Sequence, residues 1–95
     1  MRQIIQTKQF KSDFKKIARS GRYQADEILT VIQLLAEGKT LAEKYRDHTL
    51  TGEWQHHREC HIRPDWLLIY KIEDSHHVTL LKLVRTGSHS ELFGR

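Results

Sequence analysis

The chain lacks the features that mark several protein classes. Its 95 residues contain a single cysteine, Cys60, so no disulfide can form within the chain. No apolar run approaches the length of a membrane-spanning helix, and the N-terminus has no apolar stretch typical of a signal peptide. No internal repeat, low-complexity segment or linker is present. We therefore expect one cytoplasmic domain over residues 1–95, without a membrane partner.

Positive charge exceeds negative charge in this sequence. Lysine and arginine total 16 residues against 12 aspartates and glutamates, which gives a formal net charge of +4 and a pI of about 9.4. Such a balance favours polyanionic partners, namely nucleic acid or an acidic protein segment. Four lysines crowd the first predicted helix, and they are interpreted as a phosphate-binding surface, with an ordinary solvated helix face as the alternative: Lys8, Lys11, Lys15 and Lys16.

The first half of the chain predicts a short strand followed by two helices. Ile4 and Ile5 are typical of a strand, and Thr7 can cap the helix that follows. Apolar residues then recur at helical spacing in two segments, separated by Ser20-Gly21. Gly38 is a suitable end for the second segment. Two amphipathic helices with a tight connection predict a helical hairpin.

The second half predicts three strands joined by short turns: residues 54–62, 66–70 and 77–85. Pro64 favours a turn between the first two, because its ring fixes its own backbone and biases Arg63 away from helix. Short connections imply antiparallel neighbours. The predicted fold is therefore α+β, in the order β-α-α-β-β-β, with a small antiparallel sheet and the helical hairpin on one face. The other face or one end of the sheet stays free for a ligand.

Residues suited to proton transfer are concentrated in this second half, and five are candidate catalytic residues: His48, His61, Asp65, Arg85 and His89. Histidine changes charge near neutral pH, and arginine offers a permanent planar charge for phosphate oxygens. Together these residue types can move protons around a phosphate without a metal. No zinc-site spacing is present, and we expect neither a metal nor a cofactor.

Three motifs resemble the YafQ branch of the RelE/ParE toxin superfamily: Tyr-Arg-Asp-His-Thr-Leu-Thr-Gly-Glu-Trp at 45–54, Arg-Glu-Cys-His-Ile-Arg-Pro-Asp-Trp-Leu-Leu-Ile-Tyr-Lys at 58–71, and Arg-Thr-Gly-Ser-His-Ser-Glu-Leu-Phe-Gly at 85–94. Their order and spacing agree together, whereas one alone would be a weak signal. The first half of the chain is similar only in length and helical pattern. The resemblance implies the fold predicted above and a ribosome-dependent mRNA endonuclease that blocks translation and is held inactive by a co-expressed antitoxin.

The resemblance also implies roles for individual residues. His89 matches the histidine of the family's Thr-Gly-x-His motif and is the expected general acid. His61 and Asp65 are expected to act as base, or as base and orienting partner, and which of them takes the proton stays open. From its position in the chain, His48 is expected to bind a phosphate or sugar oxygen or to assist proton transfer, with a loop contact to Asp47 as the alternative. Arg85 is expected to stabilise the transition-state charge, with an ordinary surface ion pair as the alternative.

Two aromatic residues are candidates for stacking on RNA bases, since flat apolar rings bind unpaired bases well. They are Trp66 and Phe93. Because Trp66 leads an apolar strand, a place in the core is an equal alternative for its ring.

Two other functions remain open for this sequence. A ParE-like toxin would act on DNA gyrase without catalysis, and a basic nucleic-acid-binding module would need only the lysines and aromatic residues. The expected partners of the endonuclease are a cognate antitoxin, the ribosome with its rRNA, and mRNA. Operator DNA is expected to be contacted only through the antitoxin.

Overall fold

The computed structural model describes residues 1–94. In chain order the elements are β1 (Gln3–Gln6), α1 (Lys8–Ser20), α2 (Ala25–Ala36), β2 (His48–Thr49), β3 (Arg58–Arg63), β4 (Trp66–Ser75), β5 (Val78–Gly87) and α3 (His89–Phe93). Short 3-10 turns precede and follow β2, at Glu43–Tyr45 and Gly52–Trp54. None of the helices in this part of the chain has the length and apolar character needed to cross a membrane.

The predicted helical hairpin is present. The Thr7 hydroxyl accepts a hydrogen bond from the Phe10 amide and so caps α1, as expected. Gly21 ends α1 in the left-handed conformation, at a φ of 71°, which a residue with a side chain adopts at a cost. A capping box between Gln24 and Glu27 starts α2.

The sheet is mixed, with strand order β1-β5-β4-β3-β2. The three long strands are antiparallel, as their short connections predict. β1 instead pairs with β5 in parallel, from Gln3 opposite Leu80 to Gln6 opposite Leu83. The prediction of a wholly antiparallel sheet was therefore wrong at this edge, because the long connection between β1 and β5 permits a parallel return. The two-residue strand β2 was not predicted.

The two faces of the sheet are covered differently. On one face the side chains of Cys60, Trp66 and Leu68 are buried in the main core with the helical hairpin. On the other face Leu67 and Ile69 pack with Leu92 of α3 in a smaller cluster. Successive residues of a strand point to opposite faces, so alternate side chains of β4 belong to the main core and to the smaller cluster.

Candidate active site

Four of the five candidate catalytic residues come together on the sheet face that α3 covers. β3 directs Cys60 and Ile62 toward the main core, and the alternation of the strand therefore directs Glu59 and His61 to the opposite side. His48 of β2 lies directly across from Glu59 in the strand register. The tight β3–β4 turn supplies Asp65, and the first turn of α3 supplies His89.

Glu59 is the centre of this group, and sequence reasoning missed it. Its side chain is only 6% exposed, and its Oε1 lies 3.0 Å from His61 Nε2 and 3.7 Å from His48 Nε2. An ionised carboxylate only accepts hydrogen bonds, so His61 donates from Nε2, and its Nδ1 is left free. On the other side of His48, Nδ1 lies 2.6 Å from the Arg46 carbonyl, which also can only accept. Glu59 therefore sets the ring orientation of His61.

Asp65 and His89 form the second pair of the group. Asp65 Oδ1 accepts from the His89 backbone amide at 2.9 Å and from His89 Nδ1 at 2.6 Å. These two bonds, the backbone one first, hold the pKa of the Asp65 carboxyl below its usual range. The bond to Nδ1 leaves Nε2 of His89 available to a substrate. The arrangement is that of an imidazole oriented by a carboxylate.

The two pairs are adjacent. The rings of His61 and His89 have centroids 5.6 Å apart, and those of His48 and His61 lie 6.3 Å apart. Hereafter the acid–base cluster denotes His48, Glu59, His61, Asp65 and His89. Within this cluster, the rings of His61 and His89 each have one nitrogen hydrogen-bonded to a carboxylate and the other nitrogen free. Two such imidazoles can serve as the base and the acid at a single phosphate.

The cluster also contains a group of possible metal ligands, which the sequence spacing did not predict. Glu59, His61 and His89 can each offer one ligand atom, and these atoms lie within 4.8 Å of one another. Imidazole and carboxylate together suit zinc or copper. Such an ion would displace the proton that His61 donates to Glu59, so metal binding and proton transfer would compete for the same atoms.

A partly buried polar network supports the loop that carries His48. Tyr70 donates from its hydroxyl to Asp47 Oδ1 at 2.5 Å, and Arg58 donates to both Asp47 and Tyr70 at 3.3 Å. Burial raises the pKa of the Tyr70 phenol, and the bond to the Asp47 carboxylate raises it further. Asp47 is thereby held against β3 and β4, which fixes the start of β2.

A short helix, rather than a loop, presents His89. Ser88 accepts from the Glu91 amide, and Glu91 Oε1 accepts from the Ser88 amide at 2.8 Å, which makes a capping box. The Ser-x-x-Glu pattern was a readable signal for this helix. Gly87 permits the close approach of α3, because a Cβ at that position would lie 3.0 Å from Glu91 Oε1.

Arg85 lies outside the acid–base cluster. Its Nε and Nη2 donate to the two carboxylate oxygens of Asp13 in α1, at 2.9 and 3.0 Å. The structure therefore pairs Arg85 with the helical hairpin and shows no contact with the histidines of the described chain. The expected role of Arg85 at the reacting phosphate stays a prediction, and the spacing of the sequence did not reveal its partner, which lies 72 positions away.

The two aromatic residues predicted to stack on RNA bases, Trp66 and Phe93, lie in different environments. Trp66 has no exposed surface, stacks on Tyr23 at 4.6 Å, and donates to the Thr86 hydroxyl. A stacking role for Trp66 on RNA is therefore wrong, and the core alternative holds. Phe93 is half-buried and meets Trp54 edge to face, with centroids 6.4 Å apart. All four predicted lysines of α1 are exposed: Lys8, Lys11, Lys15 and Lys16.

Comparison with known proteins agrees with this architecture. Residues 2–94 match the YafQ family, described as bacterial toxins of type II toxin–antitoxin systems. The mRNA interferase toxin YafQ of Escherichia coli strain K12 is 36% identical over 94 residues, which is 98% of this chain and 97% of that protein. A crystal structure of a metal-bound toxin from Helicobacter pylori has a TM-score of 0.87 and 42% identity, covering 98% of this chain and all of that one. The toxin in a crystal structure of the E. coli DinJ–YafQ complex has a TM-score of 0.84 and 36% identity, covering 99% and 100% of the two chains.

The fold, the acid–base cluster and these matches define the class of the protein, a bacterial toxin of a type II toxin–antitoxin system. Within that class the chain belongs to the YafQ family.

Proposed function

We propose that this protein is an mRNA interferase, an endoribonuclease that cleaves mRNA on the ribosome and so blocks translation. The observation that carries the proposal is the acid–base cluster, in which His61 and His89 are each oriented by a carboxylate and lie side by side. The E. coli relative, at 36% identity over nearly the whole chain, is named an mRNA interferase toxin. Neither a gyrase poison nor a simple binding module needs such a cluster.

The proposed reaction uses the 2′-hydroxyl of the RNA as the nucleophile. His61 takes the hydroxyl proton through its free Nδ1, and the oxygen attacks the adjacent phosphorus. The bond from phosphorus to the 5′-oxygen breaks, and His89 gives a proton to that departing oxygen. The products are a 2′,3′-cyclic phosphate and a 5′-hydroxyl, so atoms and charges balance without a metal or a protein nucleophile.

Asp65 and Glu59 serve as positioning residues in this scheme, because each holds one nitrogen of an imidazole and leaves the other for substrate. His48 lies at the open side of Glu59, half exposed, and is assigned to a phosphate or sugar oxygen. Arg85 is assigned to positioning rather than to the transition state. Its pair with Asp13 ties α1 to the strand that leads into Gly87 and His89.

The expected partners follow from the same assignment. The exposed lysines of α1 would contact ribosomal RNA phosphates, and Phe93 would stack on an unpaired base. A cognate antitoxin would bind the toxin, as DinJ does in the complex with E. coli YafQ, and any contact with operator DNA would be made by that antitoxin. A reaction on translating ribosomes takes place in the cytoplasm.

The deciding experiment is primer extension on one mRNA in a purified translation system, with and without ribosomes, after addition of the protein. Cuts at a fixed codon position only with ribosomes support the proposal. Cuts in both samples would indicate a free ribonuclease. Growth arrest on expression without cuts, together with inhibited DNA supercoiling, would replace the proposal with a gyrase-type toxin.

A further inference from the structure

A cavity of about 750 Å³ opens beside His61, along the outer edge of β3. α2 forms one wall, the 3-10 turn before β2 forms the second, and the end of β3 with Pro64 completes the lining. β2 pairs with β3 only at Arg58 and Glu59, so the edge of β3 beyond Glu59 is left uncovered by strand. The volume lies in the range of small-molecule binding sites.

The cavity and the acid–base cluster are joined through two residues. His61 is one of the residues that line the cavity, and its ring donates to Glu59. Arg46 lines the cavity, and its carbonyl accepts from His48 Nδ1 at 2.6 Å. An RNA strand with its reacting phosphate at His61 therefore places a neighbouring nucleotide at this opening.

Part of the lining suits the flat body and the phosphate of a nucleotide. Tyr45 offers a half-buried aromatic ring, and Ile62 offers buried apolar surface. Lys44 and Arg46 are exposed at the rim, and neither has an ion-pair partner within residues 1–94. Lys44 Nζ lies over the Tyr45 ring, 5.1 Å from its centroid, so of the two only Arg46 has no charged or aromatic partner in the described chain. Cations beside an aromatic ring are typical of a site for a base with its phosphate.

The α2 wall presents hydrogen-bond acceptors. The Asp26 carboxylate accepts no hydrogen bond from the described chain, and the Thr30 hydroxyl donates its proton to the Asp26 carbonyl at 2.9 Å, so its oxygen has only lone pairs to offer. Glu27, in contrast, is already engaged by Arg63 Nε at 2.6 Å and by the Gln24 amide. These free hydrogen-bond acceptors favour a ligand that carries hydrogen-bond donors.

We propose that this cavity binds the base of a nucleotide next to the scissile phosphate, and that Asp26 and Thr30 select bases with an exocyclic amino group over uracil. Adenine, cytosine and guanine each carry such an amino donor. Uracil instead presents two carbonyl oxygens beside one N–H, and a carbonyl facing the Asp26 carboxylate is repelled. The inference rests on the proposed mRNA cleavage for its biological setting, whereas the binding chemistry stands on the cavity alone.

The binding test needs no ribosome. ¹⁵N-labelled protein is titrated with 5′-AMP, 5′-CMP and 5′-UMP, and amide shifts are followed by NMR. The expected result is that AMP and CMP shift Thr30, Ile62 and Arg63, with affinities about five- to tenfold above that of UMP, the scale of one or two lost hydrogen bonds. Equal affinities, or shifts confined to other surfaces, overturn the proposal. So does a result in which only the cognate antitoxin shifts these amides, which would make the cavity a protein-binding surface.

Two variants test selection during cleavage, on ribosome-bound mRNAs that differ only in the nucleotides flanking the cut. Asp26→Asn adds an amide donor that can meet a uracil carbonyl, and Thr30→Val removes the hydroxyl at constant shape. We expect the preference for amino-bearing bases to fall about tenfold in Asp26→Asn. Asp74→Asn, at the far end of β4, is the matched control.

The outcomes separate the two proposals. A parent protein that cuts, with an unchanged base preference in both variants, overturns the cavity assignment and leaves the mRNA interferase intact. A parent that cuts no mRNA overturns the interferase, and the nucleotide titration then decides the cavity by itself.

Discussion

Asp13 in α1 receives both Arg85 Nε and Arg85 Nη2 across 72 positions of sequence, at 2.9 and 3.0 Å. The Thr86 amide and the Gln9 side chain also donate to this carboxylate, at 3.2 and 3.0 Å. Burial by itself raises the pKa of Asp13, but the hydrogen bonds outweigh it, and the pKa lies below its usual value. The charged Asp13 carboxylate therefore links α1 to β5 through hydrogen bonds with Arg85 and Thr86.

Asp13→Asn should lower the free energy of unfolding by about 3 kcal/mol at pH 7, because it leaves Arg85 without its charged partner. Since the folded-state pKa is depressed, the stabilisation is complete above the unfolded pKa of about 4 and is lost as the pH falls through the folded value. Urea denaturation at several pH values measures this. The gap between parent and variant should shrink at the acidic end, whereas an equal gap at pH 3 and pH 7 would contradict the assignment.

His89→Gln should reduce the single-turnover rate of mRNA cleavage on ribosomes by about 10²- to 10⁴-fold, because the leaving oxygen loses its proton donor. Asp65→Asn should also slow cleavage, by at least about tenfold, since an amide no longer orients the imidazole by charge. His76→Gln, in the β4–β5 turn, is the matched control and should keep the parent rate. Parent-like cutting by folded His89→Gln would remove His89 from the mechanism.

Glu59→Gln tests whether Glu59 acts by positioning the ring of His61. The variant keeps the size of the side chain but presents an amide to His61, so we expect cleavage to fall about tenfold or more. NMR of the imidazole nitrogens supplies the specific measurement. In the parent, His61 should carry its proton on Nε2, facing Glu59, and in the variant this tautomer should lose its dominance. An unchanged tautomer together with a lower rate would mean that Glu59 acts in some other way.

Zinc or copper ions should inhibit cleavage, and a chelator should restore it. Glu59, His61 and His89 would hold the ion with the same atoms that the proposed proton transfer uses. Isothermal titration with Zn²⁺, beside the cleavage assay, measures the coupling, and His61→Gln should weaken binding. Faster cleavage on addition of metal would overturn the metal-free mechanism.

Cys60 should be inert toward thiol reagents in the native protein. Burial raises the pKa of its thiol far above the usual range, and the carboxylates of Asp47 and Glu59 raise it further. Because the thiolate is the reactive form, labelling with iodoacetamide at pH 8 should be negligible in buffer and rapid in urea. Native-state labelling at the rate of the unfolded chain would show that β3 opens readily.

Local patterns were sufficient for much of the fold. The 3.6-residue periodicity predicted both helices, and Thr7 and Pro64 marked a helix start and a turn that the structure contains. The parallel β1–β5 edge was missed because it depends on where a long connection returns, which periodicity does not report. α3 was not predicted, although the Ser-x-x-Glu pattern of its capping box, Ser88 to Glu91, can be recognised in the sequence.

The site was harder to predict than the fold. Histidines near Asp65 were visible as candidates, but Glu59 looked like one more strand residue until the alternation of β3 placed it opposite His48. The tertiary contacts of Arg85 and Trp66 could not be predicted from the sequence, for a common reason. Their partners, Asp13 and Thr86, lie far away in the chain, and only tertiary structure brings them together.

The parallel pairing of β1 with β5 has a consequence for a chain made from its N-terminus. β1 leaves the ribosome well before its partner, residues 80–83, so the two strands cannot pair until that segment has also been made. His89 follows that segment, so the acid–base cluster and the sheet are completed together. Until residues 80–89 have been made and have folded onto the sheet, the nascent chain therefore has no assembled acid–base cluster.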